Sequence, residues 1–308
     1  MNMWDWIDRL SRDKWHTTGA SVFRSIVGMT LLYQLAVVWS QRELLFGLDG
    51  VYPYEAFADG FGTAHYSLLA VSDAAWFPTL FLASSLGLVA LWSVGWGGRL
   101  ATAGVWLAVH SLHTRCGGLW DGGDNVIEIV LIYAVFMDLS GPGARKGEEG
   151  HPAVALHNIA LIACILQVCL LYFIAGAAKL PGRYWQNGTA FYYVLNSKEF
   201  GVTPFGWLIW EHPLILGGCT WGPVLLQLAF PWIYAFGNAS AKRILVVTAM
   251  SFHFGIFLLM GLTTFAWMMI GVEMLLLSNA DFDWFAARFA ALRARLRKRS
   301  GTDMQGAP

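Results

Sequence analysis

From Val154 to Ala178 the chain runs for 25 residues without an Asp, Glu, Lys or Arg, reading VALHNIALIACILQVCLLYFIAGAA. A helix that spans a bilayer needs about 20 mostly apolar residues. In hydrocarbon only a helix or a closed barrel satisfies every backbone group. Segments of the same character recur at Ala20–Ser40, Ala75–Gly95, Leu100–Cys116, Asn125–Leu139, Gly217–Phe236, Ile244–Met260 and Leu262–Leu277, which makes eight expected spans, the third, fourth and eighth being short. With 56% hydrophobic and only 13% charged residues, a 308-residue chain cannot hide its apolar surface in one water-soluble core. The expectation is an all-α polytopic membrane protein, with residues 1–299 forming one transmembrane domain and 300–308 a disordered tail.

Lys and Arg sort by loop in the way such a topology requires, since cytoplasmic loops carry their excess. An even number of spans puts Arg9, Arg12 and Lys14 on the same side as Arg288, Arg293, Arg295, Arg297, Lys298 and Arg299, together with Arg99, Arg145, Lys146, Lys242 and Arg243. The other side receives Arg42, Arg115, Lys179, Arg183 and Lys198, so fourteen against five predicts both termini inside. Residues 1–16 and 281–299 mix aromatic and charged residues at helical spacing, as helices lying on the inner leaflet would. The outer segments Gln41–Ala74 and Pro181–Leu216 are too long for turns and read as lids or re-entrant pieces.

Several classes drop out. Net charge is zero and no basic stripe lies outside the ends, which argues against a nucleic-acid partner. Cys116, Cys164, Cys169 and Cys219 have no zinc-type spacing, and only Cys116 and Cys219 are worth considering as a disulfide. The first residues lack the apolar core and cleavage site of a signal peptide, and no internal repeat is visible.

Ionisable residues at membrane depth are costly, so each is a functional hypothesis. Lys179 closes the fifth span and is followed by the helix-breaking Pro181-Gly182. It either snorkels to the interface or acts as a base, because an amine withdrawn from water has a lowered pKa. Asp124 and Glu128, four apart, share a helical face and read as catalytic groups, as counter-ions for Arg115 and Arg183, or as a helix cap. His110 and His113 have the spacing of two metal ligands, yet no third ligand follows, and structural hydrogen bonding is the stronger reading; no metal is expected. His253, central in SFHFGIFLLMG, reads as a buried imidazole bonded to a neighbouring helix. Arg24 and Glu273 read as anchors or a structural ion pair near the cytoplasmic ends of their spans. Glu128, His110 and His113, together with Asn125, Trp185, Asn187 and Tyr192, make up the candidate binding set.

YFIAGAAKL followed by W-x-x-G, with DGGDNVIEIVLIYAVFMD before it and SFHFGIFLLMGLTTFAWMM after it, resembles the HTTM family, the membrane domain shared by vitamin K-dependent γ-glutamyl carboxylase and many bacterial proteins. Within that family, the size and the GGD segment look most like the SdpB group, integral membrane proteins that mature a secreted antimicrobial peptide. The resemblance implies a site open to the extracytoplasmic face, with Lys179 on the carboxylase's catalytic base, His253 on one of its histidines, and a reduced, vitamin K-like quinone as cofactor. Chemistry of that kind needs a pocket from which water is excluded. The enzyme class so implied is a lysine-based, carboxylase- or oxygenase-like lyase or a peptide-maturation enzyme; the carboxylase has a catalytic histidine where this chain reads Gly123-Asp124-Asn125, a departure that leaves a different reaction open.

Three functional readings follow. The chain matures or modifies a secreted peptide, with Lys179 as base and His253 and Asp124 in support. Alternatively it binds, exports or gives immunity to a hydrophobic peptide without chemistry. The third reading is a small-molecule transporter, although inverted repeats and paired broken helices are missing. A secreted peptide or toxin precursor, a partner maturation protein and lipid are the expected partners, and the bacterial cytoplasmic membrane the expected location.

Overall fold

The computed structural model describes residues 10–47, 49–60, 66–140, 151–200 and 206–303. Among these residues it is helical throughout, with no strand. The long helices are α1 (Thr17–Ser40), α4 (Phe77–Ser93), α5 (Gly98–Arg115), α6 (Gly122–Ala134), α7 (His151–Ala177), α11 (Pro213–Phe236), α12 (Ala239–Met260), α13 (Thr263–Glu273) and α14 (Asn279–Asp303). Short helices α2 (Arg42–Phe46) and α3 (Tyr54–Gly60) lie in the first long connection, and α8 (Arg183–Gln186), α9 (Ala190–Leu195) and α10 (Trp207–Trp210) in the second. Every apolar segment expected from sequence contains a helix, with bounds that differ from the expected ones by up to five residues at an end. Of these, α1, α7 from Pro152, α11 and α12 are each long and apolar enough to cross a membrane, and α13 with α14 forms a pair bent by 105°.

Helix α13 is the axis of the bundle. It packs on α1, α6 and α12, and every residue from Met268 to Glu273 is buried, as for a helix surrounded on all sides. Gly271 permits this approach, since a Cβ there would lie 2.8 Å from the Val27 side chain of α1. The exterior is apolar instead of polar. Only 22% of the apolar window of α11, and 22% of that of α12, is buried, and Phe236 and Leu214 are 81% and 93% exposed. Apolar surface that continuous is covered by lipid, so the molecule is a helical membrane protein.

The contacts sort the bundle into two ends. At one, Lys14 pairs with Asp138 at 2.6 Å, the Trp15 amide donates to Asn158 Oδ1 at 2.8 Å, and the Thr18 amide donates to Asn279 Oδ1 at 3.0 Å. At the other, Gln34 donates to Asp124 at 2.6 Å and Arg115 donates to the Tyr52 carbonyl at 2.9 Å. Lys14 and Arg115, which the charge sorting puts on opposite sides, lie at different ends.

Some expectations change. Arg24 and Glu273 do not pair: Arg24 donates to the carbonyls of Ser93 and Leu139, while Glu273 turns to His253 and Tyr172. The four cysteines are free, so Cys116 and Cys219 are not joined. Arg115 has no carboxylate partner among the described residues; its guanidinium lies over the rings of Phe46, Tyr54 and Phe57, 4.8 Å from the last. Most of the interfacial helix expected over residues 1–16 falls outside the described residues, with 10–12 helical. Helix α14 continues to Asp303, beyond the expected boundary at residue 299, and residues 304–308 lie outside the described part.

Candidate functional site

Helix α7 ends where the sequence breaks. Its last turn tightens, with the amides of Lys179 and Leu180 bonding three residues back, and the Gly182 amide then bonds to the Lys179 carbonyl at 3.1 Å. A Cβ at Gly182 would sit 2.8 Å from the Trp185 ring, so glycine is what lets the chain fold back over its own helix end. As a result the Lys179 ammonium lies 5.4 Å from the centre of the Trp185 ring.

Lys179 Nζ donates to the Ala175 carbonyl at 2.8 Å and to Gln227 Oε1 at 2.9 Å. Gln227 reaches it because α7 and α11 touch at Gly176, where an added Cβ would lie 3.0 Å from Gln227 Cβ. The lysine, two residues past α7, is half-buried, and that burial lowers its pKa from the ordinary lysine value. A neutral amine in this position would satisfy both acceptors with its two N–H groups and keep its lone pair free.

The amine borders a cavity of ≈ 380 Å³. Leu171, Tyr172, Ala175 and Lys179 line it along one face of α7, with Phe191 and Val194 from α9, Pro223 and Gln227 from α11, and Phe265 and Met269 from α13. His253 of α12 lines the same cavity. Behind it, Glu273 of α13 is fully buried; His253 Nδ1 lies 2.9 Å from its Oε1, and the Tyr172 hydroxyl donates to that same oxygen. Tyr172 is itself held by stacking on Phe230, ring centroids 4.0 Å apart.

Lys179, His253 and Trp185 of the expected set therefore share one cavity. The other candidates lie elsewhere. Asp124 is the third residue of α6 and forms a capping box with Asp121, accepting from the Asp121 amide at 2.9 Å and from Gln34 at 2.6 Å. Glu128 accepts from His110 Nδ1 and from His113 Nδ1, each at 2.6 Å, so the two histidines are bridged by a carboxylate. No group among the described residues could hold a metal ion. Asn125 is exposed on α6, Asn187 caps the turn to Thr189, and Tyr192 packs edge-on against Tyr193 and Trp210; none lines the cavity. The residues that sequence reasoning missed are Gln227, Tyr172 and Glu273. A glutamine and a carboxylate within apolar helices were the available signals.

The arrangement is a largely apolar slot with an amine and an amide oxygen near one end and an imidazole backed by a carboxylate at the other. It suits an apolar molecule with a polar group, and proton transfer away from bulk water.

No family model matches the chain, and no solved structure matches it. The uncharacterized protein YitO of Bacillus subtilis strain 168 is 24% identical over 212 residues, covering 66% of this chain and 68% of that one. The sporulation-delaying protein SdpB of the same organism is 24% identical over 211 residues, covering 64% of each chain, under two thirds of its length. The likeness to SdpB is distant and partial.

Proposed function

We propose that this protein crosses the bacterial cytoplasmic membrane eight times, with both termini in the cytoplasm, and matures or modifies a secreted, antimicrobial-type peptide at the cavity beside Lys179. The observation that carries this reading is that Lys179 and His253, from different helices, border one cavity of ≈ 380 Å³ whose lining is otherwise almost wholly apolar. In such a setting a lysine has its neutral form within reach and serves as a base, with His253 as the second polar group. Asp124 supports the site at one remove, by fixing the start of α6, whose Gly122 and Val126 line the cavity.

The reduced quinone implied by the HTTM resemblance fits the residues present. Trp185, Phe191 and Phe265 offer flat apolar contact, while Gln227, Lys179 and His253 offer polar partners for ring oxygens. Such a group would supply two electrons and two protons to an acceptor such as oxygen, itself becoming the quinone. The chain's own part is to bind it, exclude water and hold a proton acceptor at Lys179 Nζ.

Mass spectrometry of peptides secreted by cells carrying the wild type, Lys179→Ala or Lys179→Arg tests the reading. The expected result is loss of the mature peptide in both variants, with the protein still inserted at normal level. An unchanged peptide in both would leave the binding function without chemistry.

A further inference from the structure

Tyr172, His253 and Glu273 come from α7, α12 and α13 and meet on a single carboxylate oxygen. Both contacts converge on Glu273 Oε1, while Oε2 is buried and has no hydrogen-bond partner among the described residues. A proton on Oε2 would be a buried donor with no acceptor, and a proton on Oε1 would turn the oxygen that accepts from Tyr172 into a hydroxyl oxygen, a much weaker acceptor. The geometry is instead that of a carboxylate accepting two donors. The Tyr172 hydroxyl is one, and His253 Nδ1–H must be the other.

Fixing the proton on Nδ1 leaves Nε2 as a lone-pair acceptor. Nε2 has no hydrogen-bond partner among the described residues, and His253, only 3% exposed, lines the cavity. We infer that Glu273 is a positioning residue which holds His253 in the Nδ1–H tautomer, so that the cavity binds an apolar ligand whose head group carries a hydroxyl or N–H that donates to His253 Nε2. The inference rests on the cavity being the functional site and says which head group that site selects. It also gives the Lys179 end and the His253 end distinct tasks. The amine and Gln227 hold one polar end of the ligand, and the imidazole reads the other. Tyr172, donating to the same oxygen, keeps the carboxylate turned toward the histidine.

Two measurements test this, neither of which needs the natural substrate. In the full chain labelled with ¹⁵N-histidine and held in lipid nanodiscs, His253 is found by difference against His253→Gln. The wild type should show Nδ1 protonated and Nε2 bare. Glu273→Leu, which removes the acceptor at similar volume, should move the proton to Nε2, whereas Tyr172→Phe should leave it on Nδ1. If Glu273→Leu does not fold, the wild-type and Tyr172→Phe spectra decide. A wild-type His253 carrying its proton on Nε2, or on both nitrogens, overturns the inference, as does an unchanged spectrum in a folded Glu273→Leu.

For the ligand, 1-dodecanol and its methyl ether serve as probes, read by the fluorescence difference between wild type and Trp185→Phe. The alcohol should bind at least about tenfold tighter than the ether, the worth of one good hydrogen bond, and the preference should vanish in His253→Leu. Equal affinities in the wild type overturn it. Because the spectra report on the free protein, they can stand if peptide maturation fails and fail if maturation stands.

Discussion

Glu128→Leu is expected to destabilise the protein by about 2 kcal/mol, and the figure can be worked from the contacts. Glu128 accepts from His110 and from His113, each at 2.6 Å, and such charge-assisted bonds are worth about 1.5–3 kcal/mol apiece. The carboxylate side chain is 24% exposed, so the lower end of that range applies, about 1.5 kcal/mol each and about 3 kcal/mol for the pair. A leucine of similar volume returns about 1 kcal/mol by burying apolar surface on the half-covered face of α6. Glu128→Gln, which keeps one acceptor oxygen, should cost about 1.5 kcal/mol. The assay is unfolding by SDS in mixed micelles, followed by tryptophan fluorescence. Trp106 stacks on His110 with centroids 5.3 Å apart and Trp120 lies 4.5 Å from His113, so the probes sit at the perturbed site. Peptide maturation is measured on the same samples and should survive, because this cluster does not border the Lys179 cavity. A loss of stability under about 0.5 kcal/mol together with abolished maturation would refute the structural assignment and return the histidines to the functional site.

Gly176→Ala should cost about 1–3 kcal/mol in the same unfolding assay, because its methyl would lie 3.0 Å from both Gln227 Cβ and Leu228 Cγ. It should also impair maturation by moving Gln227 off Lys179, and a neutral result in both would mean that α7 and α11 do not touch there. Burial lowers the Lys179 pKa, so the neutral, proton-accepting amine gains population as pH rises and does so earlier than for an exposed lysine. Maturation rate should therefore climb with pH and level off below the ordinary lysine value, and a rate that falls across that range would show that the ammonium is the working form.

What could be read from the sequence was what depends on single helices. A run such as Val154–Ala178 has to be a helix in lipid whatever its neighbours are, and Lys179 stands out because it ends such a run on the side that the charge sorting leaves poor in basic residues. The break at Pro181-Gly182 was equally local. Partnership between helices was not legible. Glu273, close to the end of its apolar segment, had the look of an anchor, and only the crossing of α7, α12 and α13 turns it into the acceptor for Tyr172 and His253. Asp124 and Glu128 share one face, but α6 starts immediately before Asp124, which commits that carboxylate to the cap, while Glu128 falls opposite α5 and its histidines. Tyr172 was hidden by abundance, since an aromatic near a membrane surface usually needs no further explanation.

The spacing along α7 limits what the cavity accepts. Tyr172 and Lys179 are seven residues apart, so their Cα atoms are separated by about 10 Å along α7 and the turn that ends it, and the two side chains enter the cavity from different heights. Between them the lining offers Ala175, Pro223 and Met269, with no polar side chain save Gln227 beside the lysine. A small polar solute could engage one end only and would leave the other unpaired in apolar surroundings, a cost of about 1–3 kcal/mol. A molecule that spans both ends with an apolar middle leaves nothing unpaired. On the proposed reading, selection at this site would work by length and polarity together, which would favour a lipid-like molecule or a hydrophobic peptide segment entering from the membrane over a solute arriving from water.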